Sequence, residues 1–581
     1  MKKIINNPNK IVKEMCKGIV AAYPGLEFDD TYNFIRKKNI DKDKVTLISG
    51  GGSGHEPAHA GFIGDGMLDV AVCGDVFASP SQIQVYKAIK SCCGNKGTLL
   101  IIKNYTGDDI NFKNAMEMAH EDGLNVDCVI SQDDIAVKDS LYTVGKRGVA
   151  GTLFVHKIAG AAAKEGLDLS SVKHIAQRVI DNTRSLGFAL TSCIVPAKGT
   201  PTFSLENDEI EFGVGIHGEP GINRQKIESA DKLAFRLVDS LVSNLQVSSG
   251  DELALIVNGF GGTPLQELYV LNNSIMEILK KKKIKASRVY VGNFVTSLEM
   301  AGASLSILKL DDELKKYLIA SVSTPAFNLF GNEVDSEYKE YDEVEERPEG
   351  IYVLETPNSY SKIQNNKLNL NNFLFLIDKM SAIIIENEKA FCELDSHAGD
   401  GDFGMSIASG FRALKQNWAS LKECVSISSF LNESSLIIME KCGGSSGPIW
   451  GSAFRSAANS TKGKVEINTS DMANLIQKSV EAIQLTGEKS FGRGAVVGDK
   501  TLIDALAPCA DEWLKNSKEG ISMVECFKLG AEEAVKGAKA TEQFVARMGR
   551  AGTVGERSIG YPDAGAFGLG VIFTEMAKSL K

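Results

Sequence analysis

Leu394-Asp-Ser-His-Ala-Gly-Asp-Gly-Asp-Phe-Gly404 places three carboxylates, Asp395, Asp400 and Asp402, in one short glycine-spaced turn with apolar helical patterns on both sides. Crowded carboxylates repel one another in water, and a hard cation with a taste for oxygen ligands relieves that repulsion. Mg2+ suits such a turn, because it binds through one or two carboxylates together with substrate phosphates and water. The stretch therefore predicts a nucleotide site whose metal is held by a loop between helices. The competing reading is an Asp/Gly turn that caps a helix, since both residues are common in turns.

Outward from this turn, the bounds are those of an ordinary globular chain. Its 581 residues exceed what one core holds and predict two or three domains. Hydrophobic residues make up 43% and charged ones 24%, a usual balance. The net charge of -10 argues against a nucleic-acid partner, because phosphate backbones are gripped by basic surface. The lysines from Lys280 to Lys283 read as a solvated helix end. No apolar run reaches the roughly 18 residues that span a bilayer, and Met1-Lys-Lys-Ile-Ile-Asn-Asn-Pro8 lacks the apolar core of a signal peptide. The 11 cysteines are scattered, without CxxC or zinc-finger spacing, which fits a reducing, cytoplasmic setting.

Before the carboxylate turn, β-branched runs alternate with helical patterns, predicting an α/β unit over residues 1–332 with mixed or parallel sheets in two parts. Strand candidates are Val45–Ser49, Leu68–Cys73, Gly97–Lys103, Val126–Ile130, Phe188–Val195, Ile210–Ile216, Glu252–Asn258 and Arg288–Val291. Helical patterns cover Ser81–Ser91, Gly148–Glu165 and Ile222–Leu245. Around Ser336–Pro357 the apolar period fails, which predicts a linker within residues 333–365. Long amphipathic patterns such as Asn371–Glu386, Met405–Trp418 and Met472–Leu485 then predict an all-helical unit over residues 366–581.

Three glycine-rich stretches in the α/β part stand where a parallel sheet presents ligands. Gly50-Gly-Gly-Ser-Gly-His-Glu-Pro57 follows a strand directly, at the carboxyl edge. Its backbone N–H groups can approach a small polar ligand, and His55 can exchange protons near neutral pH. Lys103-Asn-Tyr-Thr-Gly-Asp108 repeats the arrangement, so His55, Lys103 and Asp108 are expected in one crevice, with Asp108 as a candidate base. Gly213-Val-Gly-Ile-His-Gly218 matches GxGxxG, but Glu-Pro-Gly follows at once and no helix can begin there, so the dinucleotide reading fails. His217, between glycines at a strand end, is expected to be accessible from several directions, as suits a nucleophile or a ligand clamp.

Together these four motifs resemble the ATP-dependent dihydroxyacetone kinases, in that family's order and over essentially the whole chain. The resemblance implies a triose held as a hemiaminal on His217, contacts from Gly52, Ser53, Gly54, Lys103 and Asp108, and an acid/base pair formed by His55 and Asp108. Capture through a carbonyl would select a triose over glycerol. For the helical unit it implies ATP, with Mg2+ on Asp395, Asp400 and Asp402. Phosphate and nucleotide contacts are implied for Phe403-Gly404-Met405-Ser406 and for Ser445 and Ser446 within Cys442-Gly-Gly-Ser-Ser-Gly-Pro448. Gly498–Asp504 is similar to another nucleotide-lining segment, and Gly487, Arg493, Arg550 and Tyr561-Pro-Asp563-Ala564-Gly565 are further candidates. No GxxxxGK[ST] occurs, so the phosphate grip is not a P-loop. Ala564 departs from the family's usual Pro-Asp-Pro-Gly, which loosens that turn by under about 1 kcal/mol.

The family also implies a homodimer that exchanges domains, because the two sites lie on different units. Four rivals remain beside the kinase reading: a phosphotransferase-system enzyme, disfavoured by the fusion of both units, a triokinase that also cyclises FAD, a non-catalytic regulator, and a dehydrogenase.

Overall fold

Two six-stranded sheets carry the first unit, and helices make up almost all of the second. In this computed structural model residues 2–136, 145–219, 221–331, 334–339 and 353–581 are described. The chain divides into the units Met1–Glu343 and Val344–Lys581. Of the linker expected over residues 333–365, residues 333 and 340–352 lie outside the described residues.

The first sheet runs in the order Leu26–Asp29, Phe34–Lys37, Val70–Val76, Thr46–Ser53, Thr98–Lys103 and Val126–Ser131. Its last four strands are parallel, and Phe34–Lys37 pairs antiparallel with both Leu26–Asp29 and Val70–Val76. Thr46–Ser53 is buried along its whole length, as expected of a strand covered on both faces. It also runs further than expected: the glycines at 50 to 52 belong to the strand, not to a loop after it.

The second sheet has the order Lys285–Gly292, Glu252–Gly259, Gly302–Lys309, Thr183–Ala189, Glu209–Phe212 and Asn223–Lys226. Only its first pair is parallel. The strand expected at Phe188–Val195 is Thr183–Ala189, because polar Ser185 is tolerated inside it by hydrogen bonds with Asp133 and Ser306. The strand expected at Ile210–Ile216 stops at Phe212. The helix expected from Ile222 begins only at Ala230, since Asn223–Lys226 pairs as an edge strand with Glu209–Phe212.

The second unit packs the helices Leu370–Glu386, Phe403–Gln416, Ile427–Lys441, Ser446–Ser460, Thr469–Phe491, Ile503–Lys518, Met523–Ala540 and Ala564–Ser579 around one apolar core. Asn369, Ser426 and Asn468 close capping boxes at three N-termini, so those helices start where side-chain acceptors satisfy the first N–H groups. A cavity inside the helices is lined by Phe373, Trp450, Phe454, Trp513 and Met576.

Candidate active site

The parallel strands Thr46–Ser53 and Thr98–Lys103 bring the first two glycine-rich motifs side by side. A Cβ at Gly51 would lie 2.4 Å from Lys103 Nζ, so a side chain there would push the lysine's end from its present place. Lys103 is buried, 3.7 Å from Asp108 Oδ2 and 3.0 Å from His59 Nε2. Burial lowers its pKa, with the Asp108 carboxylate acting in the opposite sense. Ser53 Oγ donates to the Gly74 carbonyl at 2.7 Å, and Gly54 N–H donates to the Glu56 carboxylate at 3.0 Å. The loop after Ser53 is stitched to the second sheet's end by Leu298 N–H on the Gly54 carbonyl and Thr296 N–H on that of His55.

His55 and His217 meet although 162 residues separate them. Their Nε2 atoms are 3.1 Å apart. His55 Nδ1 is 2.8 Å from the Thr296 carbonyl, which can only accept, so that nitrogen carries a hydrogen. His217 Nδ1 is 2.9 Å from Glu219 Oε1. Burial pushes the Glu219 carboxyl upward, but His217 and Arg147 outweigh it and hold the group at about 2. An ionised carboxylate also only accepts, so His217 Nδ1 is protonated too. Both Nε2 atoms would then present lone pairs to each other unless one proton lies between them. Burial, then His217 and Lys103, hold the His55 pKa well below its ordinary value. One proton between the two Nε2 atoms would make their 3.1 Å contact a hydrogen bond.

His217 is more enclosed than its glycine neighbours suggest. The edges of His55, Phe77 and Tyr105 surround its ring at centroid distances of 4.7, 5.1 and 4.7 Å, leaving the side chain 21% exposed. The Tyr105 hydroxyl and Asp108 Oδ1 are buried without a hydrogen-bond partner, so the pocket has polar atoms free to bond a polar ligand. His55, Lys103, Asp108 and His217 thus share one crevice. Sequence reasoning passed over Tyr105 and Glu219 inside the quoted motifs, and Phe77, Arg147 and Thr296 outside them. A Tyr inside Lys-Asn-Tyr-Thr-Gly-Asp and a Glu two residues after a histidine were the available signals.

In the second unit, carboxylate oxygens of Asp395, Asp400 and Asp402 lie within 4.8 Å of one another. Gly401 N–H donates to Asp395 Oδ2 at 2.9 Å and fixes the turn. Burial, then Asp395, raise the Asp402 pKa; an oxygen-rich cluster under such repulsion fits a hard divalent cation. Phe403, Gly404, Met405 and Ser406 form the first turn of Phe403–Gln416, while Ser445 and Ser446 open Ser446–Ser460. Ser406 Oγ donates to the Gly443 carbonyl at 2.7 Å and ties the two N-termini together. Paired helix N-termini of this kind suit phosphate.

Asp563 caps the last helix through Ala566 N–H at 2.8 Å, with Ala564 and Gly565 following in its first turn. Burial pushes its carboxyl up to about 7, helped by Asp504 and Asp395. Lys500, buried in the Gly498–Asp504 loop, donates to the carbonyls of Thr541, Ser558 and Tyr561 at 2.8, 2.5 and 2.7 Å. Arg493 forms a two-pronged ion pair with buried Asp499. Gly487 lies within the helix Thr469–Phe491, where an added Cβ would meet nothing within 4 Å.

Two family models match the chain. A model of the Dak1 domain matches residues 17–326, and one of the DAK2 domain matches residues 397–578. The chain belongs to the dihydroxyacetone kinase family. Within it, triokinase/FMN cyclase of Mus musculus is 34% identical, over 100% of this chain and 99% of that protein. The dihydroxyacetone-binding subunit DhaK of the PTS-dependent dihydroxyacetone kinase 1 of Listeria innocua is 48% identical over 54% of this chain and 95% of its own length. The dihydroxyacetone kinase from C. freundii, solved in complex with AMP-PNP and Mg2+, is 29% identical with a TM-score of 0.59, covering 100% of this chain and 99% of that one. No helix among the described residues is long and apolar enough to cross a membrane.

Proposed function

We propose that this kinase transfers the γ-phosphoryl group of ATP to dihydroxyacetone, holding the triose covalently on His217 in the first unit and Mg-ATP on Asp395, Asp400 and Asp402 in the second. The observation that carries the reading is the 3.1 Å pairing of the His55 and His217 Nε2 atoms in a pocket that also holds Lys103 and Asp108.

The capture step balances without any outside reagent. The His217 Nε2 lone pair adds to the carbonyl carbon as the shared proton shifts to His55 Nε2. The carbonyl π pair moves to oxygen, and His55 passes the proton to that oxygen. The product is an alcohol and a substituted imidazolium, with no net proton gained or lost. Asp108 then accepts the proton of the hydroxyl that attacks phosphorus, and Lys103 orients the triose. Phosphoryl transfer asks mostly for positioning, and the tether supplies what a three-carbon substrate cannot through contacts alone.

In the second unit the three aspartates would hold Mg2+, whose positive charge offsets that of the phosphate oxygens. The tied helix N-termini at Phe403 and Ser446 offer N–H groups to the phosphates, with Ser406, Ser445 and the Asp563–Gly565 turn beside them. Transfer requires the two sites to meet, and a homodimer that exchanges its domains accomplishes this. Mixed His217→Ala and Asp400→Ala chains are expected to recover activity that neither has alone.

Dihydroxyacetone labelled with 13C at its carbonyl tests the capture. On binding, its resonance is expected to leave the sp2 region for the sp3 region in wild type and not in His217→Ala. A bound triose that keeps its sp2 signal overturns the reading. An ADP-release assay across dihydroxyacetone, glyceraldehyde, glycerol and FAD separates kinase from cyclase and from a silent regulator.

A further inference from the structure

Glu219 makes two hydrogen bonds to one residue. Its Oε1 accepts from His217 Nδ1 at 2.9 Å and its Oε2 from His217 backbone N–H at 2.9 Å. The side chain is 5% exposed. It lies over Gly215, where a Cβ would come within 2.0 Å of Glu219 Oε2 and 2.5 Å of Arg147 Nη1. Arg147 is fully buried and anchored in turn by Asp134 and by the Gly213 carbonyl, at 2.7 and 2.9 Å. Arg147 bonds Asp134 and acts on Glu219 through its charge alone, since its Nη1 has no hydrogen-bond partner, and Glu219 ends on the ring that faces His55.

From this geometry we infer that Glu219 is a positioning residue that fixes His217 in its Nδ1–H form and thereby keeps the Nε2 lone pair available for covalent capture of the carbonyl substrate. The inference rests on the capture reading above. Its chemical content is the need for two acceptors. A carboxylate offers an oxygen to each of the two N–H groups, whereas an amide of the same shape offers one oxygen and one NH2. If a glutamine oxygen accepted from the backbone N–H, its NH2 would donate to Nδ1 and the ring hydrogen would move to Nε2. If the oxygen accepted from Nδ1, two donors would face each other at the backbone. Carboxylates that hold a catalytic imidazole in one tautomer act by this logic in hydrolases. Glu219 also balances the imidazolium that capture creates.

The test uses the full-length protein with 15N in its histidine rings, compared between wild type and Glu219→Gln. In wild type without substrate, His217 is expected to show Nδ1 as the protonated nitrogen and Nε2 as the exchanging one. In Glu219→Gln the hydrogen is expected on Nε2, with kcat/KM lowered at least about 100-fold and no sp3 signal from labelled dihydroxyacetone. A wild-type ring protonated on Nε2 alone overturns the inference, and that measurement does not depend on whether the variant folds. So does a folded Glu219→Gln protein with unchanged tautomer and undiminished capture. A wild type with the expected tautomer but no sp3 adduct defeats the capture reading instead.

Discussion

Lys103 Nζ is nearer to His59 than to Asp108: it lies 3.0 Å from the imidazole Nε2 and 3.7 Å from the carboxylate. The ammonium donates to His59 Nε2, so His59 carries its hydrogen on Nδ1, which is 3.0 Å from His156 Nε2. Burial, then Lys103, keep both imidazoles from charging, His156 with a pKa of about 3. Lys103 thus bonds one neutral ring and pairs with Asp108 at 3.7 Å, while Asp108 Oδ1 is buried without a hydrogen-bond partner.

Lys103→Met removes the charge while filling similar space. Charge-assisted hydrogen bonds contribute about 1.5–3 kcal/mol each, so KM for dihydroxyacetone is expected to rise roughly 10- to 100-fold. Nucleotide binding, measured by calorimetry with Mg-AMP-PNP, should stay at the wild-type value. A parallel loss of nucleotide affinity would place Lys103 in the fold rather than the site.

Asp400 is exposed, so its removal disturbs no packing. Asp400→Ala is expected to lower kcat by more than about 1,000-fold, as loss of a preorganised electrostatic partner does, while thermal stability and the 13C signal of captured triose persist. Turnover close to wild type would reject the metal assignment.

Asp563 makes the second unit's stability depend on pH in a defined direction. Its folded pKa is raised from 3.8 to about 7, so the folded chain binds this proton more tightly than the unfolded chain. The contribution is fully present below 3.8 and is lost as pH rises through about 7. In chelator, wild type is expected to melt lower at about pH 8 than at about pH 5 by a larger margin than Asp563→Asn, which keeps the helix cap without the titration. Equal margins in the two proteins would contradict this.

Ala564→Pro restores the ring usual in this turn. Asp563 already has φ -63° and ψ 132°, the extended conformation a following proline requires, and Ala564 is the first helical residue, where no N–H is needed. The substitution is expected to stabilise the second unit by about 0.4–1 kcal/mol, read from chemical unfolding. Destabilisation would mean the buried site has no room for the ring.

The candidate site was legible wherever its chemistry is local. Three aspartates within eight residues lie together in one turn, and Gly50–Pro57 was expected at the carboxyl end of a strand, where the strand itself continues through Ser53. What escaped depended on distance in sequence: Arg147 reaches the His217 loop from 70 residues away, and Thr296 fixes the His55 tautomer from 241 residues away. In the fold, Gly302–Lys309 is a central strand of the second sheet, and its Ala303, Leu305 and Ile307 alternate with Ser304 and Ser306, a period-2 signal that the sequence reading passed over. Asn223–Lys226 failed for the opposite reason, since an exposed edge strand is polar and its neighbours Ile222 and Ile227 mimic the start of a helix.

Lys500 draws together carbonyls from Thr541, Ser558 and Tyr561 with a single side chain. Segments joined at one point cannot loosen one at a time, because each departure strands the same buried charge. Amide exchange should therefore find the backbone around these residues opening as one cooperative unit rather than fraying separately.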